Sequence, residues 1–270
     1  LLKICVYYLL WSVIKYRRPK EIDHLHQLVK EFSLYQEITV YDAAQLYGEK
    51  GKYRFLQFSD HAVQGAIDLK DPKRIVLEYP RAIIHLMESN NPSFEKVFMI
   101  GHGIGTIAGH YPDKQFTVAE IDEKVVELSR HFFNYKLDNV VVGDGRQILS
   151  NEESGKFDYI ILDAFTKAGT PFHLSTMEFF KLTKEKLDAR GSMILNLMGK
   201  IKNDKLINAI YTTLRQTYPY TKAFSLPGED AADIRNFIII GCNKAVNFQS
   251  WAMAGFFEIE LGQGHIIMDK

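Results

Sequence analysis

Along most of its length the chain switches between two hydrophobic periods, and the switch points mark out its elements. Glu37-Ile38-Thr39-Val40-Tyr41 alternates polar and apolar side chains, Gly48 and Gly51 mark a turn, and Tyr53-Arg54-Phe55-Leu56-Gln57-Phe58 alternates again. Period two on both sides of a glycine turn predicts a β-hairpin. A third short strand over 62–67 completes a small antiparallel sheet, and a helical stretch over 22–32 precedes it. Pro72 and Pro80 bracket the passage into a helix over 81–88.

From Phe94 the pattern becomes an alternation of strand and helix. Strand-like runs fall at 96–100, 116–121, 140–142, 157–162, 192–196 and 237–240. Helical stretches lie between them, such as 122–135 with Val125, Leu128 and Phe132 on one face, and 204–218 with Ile207, Ile210 and Leu214. Strands separated by helices of this length predict βαβ units and a mostly parallel sheet covered on both faces. The organisation expected is a helical extension over 1–34, a small antiparallel β module over 35–78 and an α/β domain over 79–270.

Composition narrows the function classes. The chain has 270 residues, 33 basic and 33 acidic side chains, a formal net charge of +0 and 46% hydrophobic residues. Such a balance fits a globular protein and disfavours a general nucleic-acid binder. Cys5 and Cys242 form no CxxC pair, which argues against a disulfide scaffold or a thiolate metal site. Residues 4–14 are apolar, with basic residues at Lys3, Lys15, Arg17 and Arg18, but are too few to span a bilayer as a helix. The segment reads as a packing or oligomer helix, with a membrane-surface helix or a leader as alternatives. A cytoplasmic homo-oligomer, a dimer, with no membrane span, no metal and no nucleic-acid partner is expected.

The chemistry sits at strand ends. The strand 96–100 runs into Gly101-His102-Gly103-Ile104-Gly105, where glycines allow a sharp turn and close approach of a ligand. Glu120 ends the next strand about 20 residues on, the spacing of an acid that binds ribose hydroxyls. Val142-Gly143-Asp144-Gly145 follows, with an acid placed to accept from an adenine amine. The loop lacks the third glycine of the dinucleotide fingerprint, so this order matches S-adenosyl nucleoside enzymes better than dehydrogenases. Asp163 closes the run 157–162 and should face the same crevice, where a carboxylate could orient an amine, accept its proton or bind a cationic group. Capping the next turn is its structural alternative.

These motifs, together with Val118-Ala119-Glu120-Ile121-Asp122 and the hairpin module, resemble the spermidine synthase (polyamine aminopropyltransferase) family over residues 35–244. The resemblance implies a doubly wound, Rossmann-like α/β sheet of the S-adenosyl methyltransferase type. It implies Gly101, Gly103, Gly105, Glu120, Asp144, Gly145 and Gln64 at the nucleoside, Tyr79 at the substrate, and Asp163 as the acid that deprotonates the attacking amine. The donor implied is S-adenosylmethionine or its decarboxylated form, and the acceptor a small molecule, an amine.

Two departures stand against the family pattern. Ile104 occupies the place of the acid that receives the donor's aminopropyl ammonium, and Thr166 that of the acid that anchors the polyamine. Pro171-Phe172-His173-Leu174-Ser175-Thr176-Met177-Glu178-Phe179 is similar to a methyltransferase-like subgroup of spermidine synthase-like proteins, in which His173 reads as a substrate contact, a base or a structural residue. The expectation is group transfer from an S-adenosyl sulfonium, methyl slightly favoured. True aminopropyl transfer with altered amine contacts and a silent nucleoside-binding scaffold are the alternatives.

Overall fold

The structure, a computed structural model, describes residues 25–58, 63–166, 169–200, 202, 204–228, 230 and 233–270. The apolar stretch 4–14, the basic residues 15–20 and the start of the expected helix 22–32 lie outside them.

A four-stranded antiparallel sheet comes first, in the order β1 (His26–Phe32), β2 (Glu37–Leu46), β3 (Glu49–Phe58) and β4 (Val63–Asp68). Residues 26–32 are therefore strand, correcting the helix expected there. They pair with β2 from His26↔Asp42 to Phe32↔Glu37 through a bulge between Gln27 and Val29. The open edge of β2 supplies hydrogen bonds that outweigh a short segment's local preference. The reversal is fixed by Ser33, whose Oγ accepts from the N–H groups of Tyr35 and Gln36 at 3.0 and 3.1 Å. Between β2 and β3 only Tyr47 and Gly48 turn the chain, with φ of 48° and 83°, the pair of positive angles that a two-residue hairpin demands. Gly51 lies in β3 and not in the turn. A Cβ there would fall 2.5 Å from the Tyr53 ring.

The second sheet has eight strands. In chain order they are β5 (Lys96–Ile100), β6 (Gln115–Glu120), β7 (Val140–Val142), β8 (Phe157–Leu162), β9 (Leu187–Lys200), β10 (Tyr220–Ser225), β11 (Ile234–Cys242) and β12 (Phe257–Ile259). Across the sheet they run β12-β10-β11-β9-β8-β5-β6-β7. Strands β5 to β9 are parallel to one another, whereas β11 pairs antiparallel with β9 and β10, and β10 with β12. The chain builds outward from β5 to β7 and then returns to place β8 on the other side of β5, which makes the gap beyond β5 and β8 the switch point where such sheets bind ligands.

Helices cover both faces. On one side α1 (Glu78–Asn90) and α2 (Thr106–His110) bury Ala82, Ile83, Leu86, Met87 and Ile107 against Val97, Met99 and Ile161. On the other, α4 (Gly145–Ser150), α5 (Met177–Lys186) and α6 (Lys205–Arg215) bury Leu149, Phe179, Phe180, Ile207 and Ile210 against Phe98, Ile160 and Leu195. Between β6 and β7, α3 (Glu123–Phe133) serves the small sheet. Its Val125 and Leu128 meet Ile38, Val40 and Leu56 in a separate cluster that also contains Ile104. Arg54 reinforces the contact by holding Asp42 at 2.8 and 3.0 Å and donating to the Phe132 carbonyl at 3.1 Å. The small sheet thus forms one wall above the switch point.

Candidate active site

Gly101 closes the floor. At φ 97° its N–H donates to the Ala119 carbonyl at 2.8 Å, while Asp163 N–H donates to the Ile100 carbonyl at 2.8 Å. A Cβ on Gly101 would lie 2.0 Å from the Asp163 carbonyl oxygen, so only glycine lets the ends of β5 and β8 come this close. Above this junction opens a cavity of about 540 Å³, within the range of small-molecule sites.

The cavity is lined by Gly101, Gly103, Glu120, Asp144 and Gly145 together with Gln64, Tyr79, Asp163, Thr166 and His173. Of the residues expected to touch donor or acceptor, Gly105 alone stands outside the lining. Its φ of 81° and the Tyr135 ring, 2.2 Å from a would-be Cβ, give it a packing reason to be glycine. Ile104 is 5% exposed and turned into the cluster beneath the small sheet, where it fills the space beside Gly65.

Glu120 is held by main chain. Its Oε2 accepts from His102 N–H at 2.8 Å and its Oε1 from Asp122 N–H at 3.0 Å. Burial nevertheless pushes the carboxyl up to about 7, the backbone donors offsetting only part of that cost. His102, an unassigned position in the glycine loop, packs away from the cavity. Its Nε2 lies 2.8 Å from Ser129 Oγ, whose own proton goes to the Val126 carbonyl, so the ring donates. Burial, helped by Arg130, pushes the imidazole down to about 4 and keeps it neutral. The signal for this residue was its place between two glycines, where a bulky side chain must go inward.

Asp144 caps α4, its Oδ1 accepting from Gln147 N–H at 2.8 Å, and its Oδ2 lies 2.8 Å from His173 Nε2. His173 comes from a single 3-10 turn, Phe172–Leu174. That turn is tied down by Arg146, which donates to the His173 carbonyl at 2.9 Å and grips Asp269 at 2.8 and 2.6 Å.

Asp163 is surrounded by donors. Oδ1 accepts from Asn196 Nδ2 at 2.8 Å, and Asn196 Oδ1 in turn accepts from Asn236 Nδ2 at 2.9 Å. The Tyr79 hydroxyl bonds the same carboxylate and lies 3.4 Å from the Gln64 carbonyl. Burial pushes Asp163 up to about 6, Asn196 and Tyr79 opposing it. Thr166 is exposed at the cavity edge, its hydroxyl donating to the Gly169 carbonyl at 2.9 Å. Farther along the wall, Arg235 is 2% exposed, its Nε bonding the Asp233 carbonyl at 3.3 Å and its Nη2 the Asp230 carbonyl. Asn196, Asn236 and Arg235 were not singled out in the sequence. Among the described residues no group of three or more His, Cys, Asp or Glu could hold a metal ion, and no helix is long and apolar enough to cross a membrane.

The spermine/spermidine synthase domain matches residues 76–245, well over half of the 270 residues. The chain belongs to the spermine/spermidine synthase family. It is 30% identical over 211 residues to a polyamine aminopropyltransferase of Vibrio vulnificus, covering 73% of this chain and 67% of that one. Over 151 residues it is 29% identical to putrescine N-methyltransferase 1 of Nicotiana tabacum, covering 52% of this chain and 40% of that one. Of two further bacterial aminopropyltransferase relatives it spans 30% and 56%. The crystal structure of a probable spermidine synthase from Corynebacterium glutamicum superposes with a TM-score of 0.70 at 20% identity, covering 80% of both chains. With the family go the doubly wound sheet and a transferase that draws its group from an S-adenosyl donor.

Proposed function

We propose that the chain transfers an aminopropyl group from decarboxylated S-adenosylmethionine to the nitrogen of a small polyamine-type amine. The observation that carries the reading is Asp163, an acceptor bonded to side-chain donors on the cavity floor, one strand from the glycine turn and in one cavity with Glu120. Glu120 would hold the ribose, and Asp144, with His173, the adenine edge.

In the transfer, the amine lone pair attacks the sulfonium-bound CH₂ of the donor. A C–N bond forms, the C–S bond breaks, and its electron pair leaves on sulfur as a neutral thioether. The proton lost from nitrogen passes to the Asp163 carboxylate, which is ionised at neutral pH. No further group is required: the protein's work is alignment, exclusion of water and removal of that proton.

The sequence leaned toward methyl transfer because Ile104 cannot bind an ammonium. That argument loses its footing, since the Ile104 side chain lies in the core and does not line the cavity. The aminopropyltransferase relatives support the aminopropyl reading, and the N-methyltransferase relatives are what keeps methyl transfer as its rival. A cytoplasmic homo-oligomer acting on a small molecule, with no nucleic-acid partner, belongs to the same proposal.

The test is incubation of the protein with a diamine and either S-adenosylmethionine or its decarboxylated form, with products read by mass spectrometry. Methylthioadenosine and an amine heavier by one aminopropyl group are expected, from the decarboxylated donor only. A methylated amine with S-adenosylhomocysteine would overturn the reading, and no product from either donor would favour the silent scaffold.

A further inference from the structure

We infer that Asn236 is a positioning residue: through Asn196 it locks the polarity of the amide that faces Asp163, so that one oxygen of the carboxylate is held as an acceptor through the whole transfer. The inference rests on the reading of Asp163 as the proton acceptor.

The register of the sheet brings the three groups together. Asn196 of β9 lies opposite Ile238, and Asn236 of β11 lies opposite Met198, so the two amides are diagonal neighbours on one face at the cavity end. Asp163 follows β8, the strand on the other side of β9. Asn196 is 1% exposed, so its amide finds its partners within the protein.

The direction of the chain of bonds follows from what each group can do. An ionised carboxylate only accepts, so Asn196 must turn its NH₂ to Asp163, at 2.8 Å. Its carbonyl then faces Asn236, whose NH₂ fills it at 2.9 Å. Turning Asn196 over would place two carbonyl–acceptor or two NH₂ groups face to face and leave buried polar atoms unpaired. Without Asn236 that barrier is gone, and Asn196 can offer its carbonyl to a protonated Asp163.

The consequence concerns where the proton goes. With Asn196 fixed on Oδ1, the proton taken from the amine arrives on Oδ2. Tyr79 is the partner free to adapt, because its hydroxyl has a second acceptor, the Gln64 carbonyl at 3.4 Å. Swinging its proton there exposes a phenol lone pair to the new Asp163 O–H. One donor is thus rigid and the other switchable.

The charged and titratable groups that share the cavity with Asp163 are Tyr35, Tyr47, Glu78 and Tyr79, Glu120 and Asp122 at the end of β6, Asp144 with His173, and Arg235 of β11. None of them is changed by substitution at 236, so a displaced Asp163 titration reports the relay. The experiment is a ¹³C NMR pH titration of the aspartate carboxyls, with Asp163 assigned by its loss in Asp163→Asn, alongside the pH dependence of kcat/KM. Asn236→Leu removes the lock and is expected to raise the Asp163 pKa by about half a unit to one unit, carrying the acidic limb of the rate profile with it. Asn236→Asp, which keeps the shape, is expected to move it further, by turning Asn196 over and by its own charge. Methylthioadenosine affinity should stay within about twofold in both. A lower melting temperature with an unmoved Asp163 titration in Asn236→Leu would overturn the proposal, since the charge added by Asn236→Asp moves the titration with or without the relay. A shifted titration in a protein that makes no aminopropyl product would instead sink the proposed reaction and leave the lock standing.

Discussion

At the nucleoside end of the cavity the fixed points are main chain: Glu120 is held by the N–H groups of His102 and Asp122, and Asp144 by that of Gln147. At the acceptor end they are side chains: Asp163 is held by Asn196 and Tyr79, and Asn196 by Asn236. Main-chain donors persist whatever residue supplies them, so the first end tolerates His102 and Ile104 in a glycine loop. Side-chain donors are rewritten by single substitutions. The difference teaches that single substitutions rewrite the acceptor end more readily than the nucleoside end, and each prediction below presses on one end while reading the other.

The largest effect is expected at Asp163. Asp163→Asn keeps the shape but removes the acceptor, and turnover should fall roughly 10²–10⁴-fold. Methylthioadenosine affinity, measured by calorimetry, should be unchanged. A parallel loss of affinity would break the division into two ends, and full activity would take Asp163 out of the mechanism.

Next comes Ile104→Asp, which restores the acid of the resembled family in sequence. The structure places this side chain among Ile38, Leu56 and Leu128, where an unpaired carboxylate costs about 3 kcal/mol or more. The melting temperature should drop by roughly 6 °C or more, with no gain in preference for the decarboxylated donor. A stable variant with a tighter decarboxylated donor would show that the loop presents position 104 to the cavity.

At Glu120 the effect is intermediate. Glu120→Ala should weaken adenosyl ligands by about 1.5–3 kcal/mol, the worth of hydrogen bonds to a charged acceptor. The wild-type carboxyl also carries a pH signature. Its folded pKa of about 7 is raised, so the folded state binds the proton more tightly than the unfolded chain does. That contribution to stability is complete below the ordinary carboxylate range and is lost as pH rises through about 7. Ribose hydroxyls donate to the ionised form and lower the pKa, so binding should release up to about half a proton at pH 7 and weaken below it. Calorimetry in buffers of different ionisation enthalpy reads this directly, and a buffer-independent heat would show that Glu120 is already ionised.

What the sequence made legible follows the same division. Gly101, Glu120, Asp144 and Asp163 each stand at or just past the end of a parallel strand, so their arrival at one crevice could be read in advance. Asn196 ended a strand-like run in the same way and was open to the same argument. Asn236 was not, because it lies near the start of an antiparallel strand, and which end of β11 meets the site depends on a direction that no local pattern encodes. Strands β10 and β12 also escaped: Tyr220–Ser225 alternates weakly, and Phe257–Ile259 is three residues held by pairing with β10. Residues 26–32 read as helix because seven residues are too few for the two periods to separate, and the edge of β2 decided the matter.

The smallest effect is expected where the two ends meet solvent. Thr166 is exposed, and its hydroxyl serves its own turn through the Gly169 carbonyl, so position 166 offers a ligand no charge. Thr166→Asp restores a carboxylate at the acceptor edge without burying it. Exposed ion pairs are worth about 0.2–1 kcal/mol, so KM for a diamine should fall by roughly 1.4- to fivefold, with kcat and methylthioadenosine affinity unchanged. A monoamine of the same length carries no second charge to reach that edge, and its KM should stay where it is. Equal gains for both amines would mean that the new acid acts by general attraction of cations. No gain for either would place the far end of the acceptor elsewhere along the wall, toward Asn236 and Arg235, and would make the amides and not the lost acid the determinant of what this end accepts.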